Sequence, residues 1–131
     1  MKIYLAIKFH PDFSNRAFIE SLSDALTQAG HESIVAVRDF EQWGTLKFTN
    51  KQIMTQDFEA IRGVDMLLVE FSEKGVGLGV ATGFAKAIGK PIVVIAKTGS
   101  DISDTIEGTA DRIIFYDSVD GLVEKFKDLG V

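Results

Sequence analysis

Short apolar runs rich in isoleucine, valine and leucine recur along this chain, and each is followed by a segment with helical spacing. They begin with Ile3-Tyr4-Leu5-Ala6-Ile7 and return at Ser33–Val37, Met66–Val69, Pro91–Ala96 and Arg112–Phe115. A strand that is apolar at successive positions is buried on both faces. Strands that alternate with helices run parallel, with helices packed on either side. The pattern therefore predicts an α/β fold, a three-layer sandwich around a five-stranded parallel sheet, flavodoxin-like or Rossmann-like. At 131 residues and 46% hydrophobic content, the chain has enough apolar material for one cored domain over residues 1–131. It shows no repeat, low-complexity segment or linker.

The spacing places strand one at about Lys2–Lys8 and a first helix at about Ser14–Ala29. Ser14 is the expected cap, Phe18, Leu22, Ala25 and Leu26 share one face, and Gly30 ends the helix. Strand two is expected at about Ser33–Val37, then an irregular stretch Arg38–Asn50, then a helix at about Lys51–Arg62 capped by Asn50. Strand three follows at about Asp65–Glu70, a third helix at about Gly79–Ile88 and strand four at Pro91–Ala96. A short helix at about Ser103–Thr109, strand five at Arg112–Phe115 and a helix at about Val119–Leu129 complete the chain. In such sheets ligands bind beyond the carboxyl ends of the strands, where strand order reverses. That directs attention to the loops Phe9–Phe13, Arg38–Asn50, Phe71–Gly79 and Lys97–Ser103.

Composition narrows the function classes. The net charge is −5 and no basic run exists to neutralise phosphates, so a nucleic-acid polymer is not an expected partner. The absence of cysteine excludes disulfides, thiolate metal sites and cysteine nucleophiles, and fits a cytoplasmic setting. The two histidines, His10 and His31, lie on either side of one helix, so no metal site is expected. No run approaches the roughly 20 apolar residues of a membrane span, and no membrane partner is expected.

The segment Lys74-Gly75-Val76-Gly77-Leu78-Gly79-Val80-Ala81-Thr82-Gly83-Phe84-Ala85 follows strand three and leads into Gly89-Lys90-Pro91. Glycines between a strand and a helix entrance allow tight turning and let free backbone N–H groups approach a ligand. The spacing misses the dinucleotide fingerprint by one residue and lacks the Gly-Lys-Ser/Thr of a phosphate loop. A tight helix–strand packing turn with no ligand is the bland alternative.

Gly77-Leu78-Gly79-Val80-Ala81-Thr82-Gly83-Phe84-Ala85 with Gly89-Lys90-Pro91 resembles Gly-x-Gly-x-Glu-x-Gly-x-Ala with Gly-Lys-Pro. That is the signature of the nucleoside 2-deoxyribosyltransferase family, including its N-glycosidases of deoxynucleoside 5′-monophosphates. Ile3-Tyr4-Leu5-Ala6 resembles the family's first strand, and Gln56–Ile61 with Val64–Glu70 its aspartate-bearing helix and following strand. Ser103–Asp111 resembles the segment that reaches into a neighbouring subunit's site. These blocks stand in the family's order and cover most of the chain.

The resemblance implies cleavage or transfer of the N-glycosidic bond of 2′-deoxynucleosides or their 5′-monophosphates through a covalent glycosyl-glutamate, with no cofactor. Ala81 stands at the nucleophile's position, where glutamate is expected. Asp57 matches the acid that protonates the leaving base, and Tyr4 the hydroxyl that orients the nucleophile. Gly75, Gly77 and Gly79 would border the sugar, Ser103 would serve the partner's site in a homodimer, and Trp43, Phe40 or Phe48 would stack on the base. Lys8, His10 and Arg16 flank the first loop, where a 5′-phosphate would lie. Without its glutamate the chain reads as an inactivated variant, with a naturally non-catalytic nucleotide-binding or sensing module as the alternative. Glu70 or Glu73 is a remote substitute nucleophile. Each assignment has a plainer counterpart: Tyr4 as a core aromatic, Asp57 as a solvated helix residue, Asp65 as a turn cap, Ser103 as a helix cap, the aromatics as a sheet-edge cover. Two departures bear on substrate. Gly75 occupies the place where the monophosphate hydrolases carry a serine, and where the nucleoside transferases carry an acid.

Overall fold

A computed structural model describes residues 1–130. The elements run β1 (Lys2–Ala6), α1 (Arg16–Gln28), β2 (Glu32–Ile34), α2 (Ala36–Asp39), α3 (Asn50–Gly63), β3 (Met66–Glu70), α4 (Val76–Ala87), β4 (Ile92–Lys97), α5 (Asp104–Thr109), β5 (Arg112–Tyr116) and α6 (Leu122–Phe126). The five strands form one sheet in the order β2-β1-β3-β4-β5, and every pairing is parallel. The expected sandwich is present, and the order reverses between β1 and β3.

The pleat assigns the two cores. Ile3, Leu5, Met66, Leu68, Val93 and Ile95 face α1 and α6, where Leu22, Leu26 and Phe126 meet them. Tyr4, Ala6, Leu67, Val69, Ile92 and Val94 face α3, α4 and α5, where Ile61, Leu78, Ala85 and Ile106 meet them. The register Leu5 to Leu68 and Ala6 to Val69 brings the ends of β1 and β3 level. At the opposite rim, Asp65 Oδ2 accepts from the Lys2 N–H at 2.8 Å and Asp111 Oδ2 from the Ile92 N–H at 2.8 Å. Asp65 thus ties off a strand start, the plainer of its two readings.

Several boundaries differ from expectation for local reasons. The apolar run after Glu32 leaves the sheet at Ile34, because Asp39 Oδ2 accepts from the Val35 N–H at 2.8 Å and closes a helical turn over Ala36–Asp39. Arg38 holds that turn in place through Ser23 Oγ at 2.5 Å and the Ser33 carbonyl at 3.0 Å. Ser14 does not cap α1. Its hydroxyl is engaged by His10 Nδ1 at 2.9 Å, and Asn15 stands at the cap position without a side-chain capping bond. Asn50 is the first residue of α3, and Thr49 caps it in a reciprocal box with Gln52. The final helix is shorter than expected, with i to i−3 turns at Leu122 and Lys127 on either side.

The largest change concerns the glycine segment. The helix begins at Val76, not Gly79, so Gly77, Gly79 and Gly83 lie within α4. None has a positive φ, and a Cβ built at any of the three meets no atom within 4 Å. Neither tight turning nor close helix–strand packing requires glycine there.

Candidate functional site

The carboxyl ends of β1 and β3 carry the candidate site, on the side covered by α3 and α4. Gly75 ends the loop after β3 in extended conformation, φ −163° and ψ 143°, and the first turn of α4 has no side-chain cap. Leu78, Thr82 and Ala85 form the buried stripe of that helix. Ala81 falls beside them and packs against the cluster that contains Tyr4. A carboxylate on position 81 would therefore start one turn beyond Gly77, on the side of the helix that faces the sheet.

Tyr4 is 4% exposed, and Asp57 approaches it from α3. Burial pushes the Tyr4 hydroxyl far up, and the neighbouring charges of Asp57 and Glu41 add to this. Burial also holds the Asp57 carboxyl above its ordinary value. The Tyr4 hydroxyl offsets part of that effect, and the Glu41 charge reinforces it. Asp57 Oδ1 is buried with no hydrogen-bond partner, the only such side-chain atom among the described residues. A buried carboxylate oxygen without a donor is costly, and folds rarely leave one idle.

Asp57 lines a cavity of about 180 Å³ together with Ala6, Lys8, Gly75, Gly77 and Leu78. Two larger spaces adjoin it along the rim. One, of about 410 Å³, shares Gly75 and is bounded by Gly79, Ser103 and Ile106. The other, of about 420 Å³, shares Ile7 and Lys8 and includes His10, Glu70, Glu73 and Lys97. A larger cavity, about 570 Å³, lies at the amino ends of β4 and β5 beside Lys86, Gly89 and Arg112. That is the rim away from Asp57 and Tyr4, so size does not mark the site here.

The structure thus brings together Tyr4, Asp57, Ala81, Gly75 and Gly77, with Gly79 and Ser103 along the adjoining groove. Ser103 also caps α5, accepting from the Ile106 N–H at 3.3 Å, and in this fold it lines a groove with its own chain's glycines. Trp43 is not among the residues lining these cavities. Its ring packs on Phe9 with centroids 5.9 Å apart, and the Arg16 guanidinium lies 4.4 Å from its centroid. Phe40 packs in the core on the α3 side. Arg16 also binds Glu20 at 2.9 Å. Glu70 faces the opposite side of the sheet, where Ser72 and Tyr116 bind its carboxylate, so it cannot replace a carboxylate at position 81.

The sequence reading missed Glu41. It sits just before Gln42, Trp43 and Gly44, which have φ of 47°, 56° and 87°. Three consecutive left-handed residues fold this stretch back toward α3, and no periodicity announces such a turn. Among the described residues no group of acids and histidines is placed to hold a metal, and no helix is long and apolar enough to cross a membrane.

No family model matches the chain. Among curated proteins it is 26% identical over 139 residues to the Putative 2′-deoxynucleoside 5′-phosphate N-hydrolase 1 of Thermofilum pendens, covering 98% of this chain and 94% of that one. It is 32% identical over 80 residues to the 5-hydroxymethyl-dUMP N-hydrolase of Rattus norvegicus, a match spanning 58% of this chain and 49% of the rat protein. Among solved structures, the 2-deoxyribosyltransferase of Bacillus psychrosaccharolyticus superposes with a TM-score of 0.72 at 16% identity, over 99% of this chain and 93% of that one. The fold is that of the nucleoside deoxyribosyltransferases. The chain resembles that family, with its monophosphate N-glycosidases, in its relatives as well as in its motifs.

Proposed function

We propose that residues 1–131 form one nucleoside 2-deoxyribosyltransferase-like domain. It seats a 2′-deoxynucleoside or its 5′-monophosphate with the sugar over the first turn of α4 and the base toward Asp57. The observation that carries this reading is the buried, unpartnered oxygen of Asp57, a residue that lines the cavity shared with Gly75 and Gly77. A carboxyl whose affinity for a proton is raised by burial is suited to protonating a leaving base. The open space over Gly77 and Gly79 leaves room for a sugar. The two curated relatives are named for hydrolysis of deoxynucleotides, which favours the same substrate class.

The chemistry supported is double displacement. With glutamate at position 81, a carboxylate oxygen attacks C1′. The C1′–N bond breaks, and its electron pair leaves with the base, which takes the proton held by Asp57. Water then attacks C1′ of the glycosyl ester, releases the glutamate and returns a proton to Asp57. With Ala81 the first step has no attacking oxygen, and the ligand stays whole. In this reading the chain is an inactivated variant.

The reading includes a cytoplasmic homodimer. Val76 is 87% exposed and Val80 41% exposed on the outer side of α4, an apolar surface that a second copy would cover. Light scattering tests the dimer, and a monomeric mass overturns it. The function is tested by Ala81→Glu incubated with the common 2′-deoxynucleosides and their 5′-monophosphates. Release of free base with a trapped glycosyl adduct is expected. No base release from any of them overturns a latent enzyme site. Tight binding to the unaltered chain, with no turnover after Ala81→Glu, points instead to the sensing module, which the missing nucleophile itself favours.

A further inference from the structure

A 5′-phosphate needs unpaired cations or donors at its end of the site, and the rim beside Asp57 has few to spare. Lys8 borders both the Asp57 cavity and the neighbouring 420 Å³ space. Its Nζ lies 3.8 Å from Glu73 Oε2. His10 Nε2 meets Glu73 Oε1 at 2.5 Å across 63 residues of sequence. Lys74, beside Gly75, is bound to Asp101 at 2.8 Å, and Arg16 is bound to Glu20. Gly75 supplies no hydroxyl. Lys97 is the exception, with its Nζ 4.5 Å from the Phe18 ring centroid and no carboxylate partner among the described residues. The anion already installed where the first loop meets the loop after β3 is thus the Glu73 carboxylate, and it lines the 420 Å³ space that shares Ile7 and Lys8 with the Asp57 cavity.

We propose that Glu73 is a specificity-determining residue that stands in the place of a 5′-phosphate, so that the site selects 2′-deoxynucleosides with a free 5′-hydroxyl over their 5′-monophosphates. The proposal rests on the nucleoside-binding reading above. A 5′-hydroxyl donates to the Glu73 carboxylate. A phosphate brings like charge against it and must displace it from the His10 hydrogen bond and the Lys8 ion pair to enter. This separates the chain from its curated relatives named for 5′-phosphate or dUMP hydrolysis.

The test is calorimetric titration of the full chain, and of Glu73→Gln and Glu73→Ser, with the four common 2′-deoxynucleosides and their 5′-monophosphates. For the unaltered chain, the best nucleoside is expected to bind about tenfold tighter than its monophosphate at low salt, with the gap narrowing toward 1 M salt. Both substitutions are expected to shift the ratio toward the monophosphate by about tenfold. Tighter monophosphate binding by the unaltered chain overturns the proposal, as does a ratio that neither substitution moves. If no nucleoside or monophosphate binds any of the three proteins, the nucleoside reading itself falls, and this proposal with it.

Discussion

Two acids stand at the same rim of the same sheet, on opposite faces, each beside a buried tyrosine: Glu70 is buried, and Asp57 is half-buried with one buried carboxylate oxygen. Glu70 ends β3 at 3% exposure, and its carboxylate accepts from the Ser72 N–H at 2.6 Å, the Ser72 hydroxyl at 3.0 Å and the Tyr116 hydroxyl. Asp57 stands against Tyr4, yet one of its oxygens has no partner. Both tyrosines are pushed far up, primarily by burial. Glu70 is satisfied within the fold, so it tightens β3 against β5 and the loop that starts at Phe71. Asp57 is left wanting a donor that the chain does not supply. A saturated buried acid holds structure, whereas an unsaturated carboxylate oxygen beside a cavity is the contrast on which the proposed role of Asp57 rests.

The strongest way to break this contrast is to remove each acid. Glu70→Ala strands the Tyr116 hydroxyl and the Ser72 N–H, and is expected to cost about 3 kcal/mol in urea unfolding. A loss under about 1 kcal/mol would mean that Glu70 is not the structural member of the pair. Asp57→Asn is expected to leave stability unchanged or slightly higher. In the Ala81→Glu background it should slow base release about 100-fold, measured by chromatography of the free base. A folding loss equal to that of Glu70→Ala would erase the distinction.

Smaller effects sharpen it. Gly77→Ala places a methyl group in open space inside a helix, so melting should show a gain of about 0.5–1 kcal/mol. The same methyl narrows the Asp57 cavity, so nucleoside affinity measured by calorimetry should fall. A helix left less stable than alanine would make it is the expected signature of space kept for a ligand.

The smallest effect is in pH. The folded-state value of Asp57 is raised, so the native state keeps a proton that the unfolded chain releases above its ordinary 3.8. The stability from this group is complete below that pH and is lost as pH rises through the folded value. Asp57→Asn removes the loss. Its melting advantage over the parent should therefore be near zero in acid and grow toward neutral pH, to no more than about 4 °C. An advantage that shrinks with rising pH would contradict the assigned direction.

Much of the candidate site was legible in linear order. Tyr4, Asp57, Ala81 and the glycines were named from blocks in the chain, and they gather at one rim because β1, β3 and α4 meet there. The packing of Trp43 was not legible, because its ring meets Phe9 from the first loop and Arg16 from the start of α1, about 30 residues upstream. Ser14 failed as a cap for the same kind of reason, since its hydroxyl is engaged by His10. The start of α4 at Val76 was obscured because glycine runs read as loop. Only the buried stripe of Leu78, Thr82 and Ala85 keeps them helical.

By itself, the order of apolar runs determined the parallel five-stranded sheet, because alternation and burial are local properties of the chain. It also determined which residues lie beside the helix entrance after β3. Tertiary structure alone decided which acid is satisfied and which is not, and that Glu73 meets His10 and Lys8. Charge, desolvation and hydrogen bonding depend on distances between residues far apart in the chain, and those distances are set only when the strands pack.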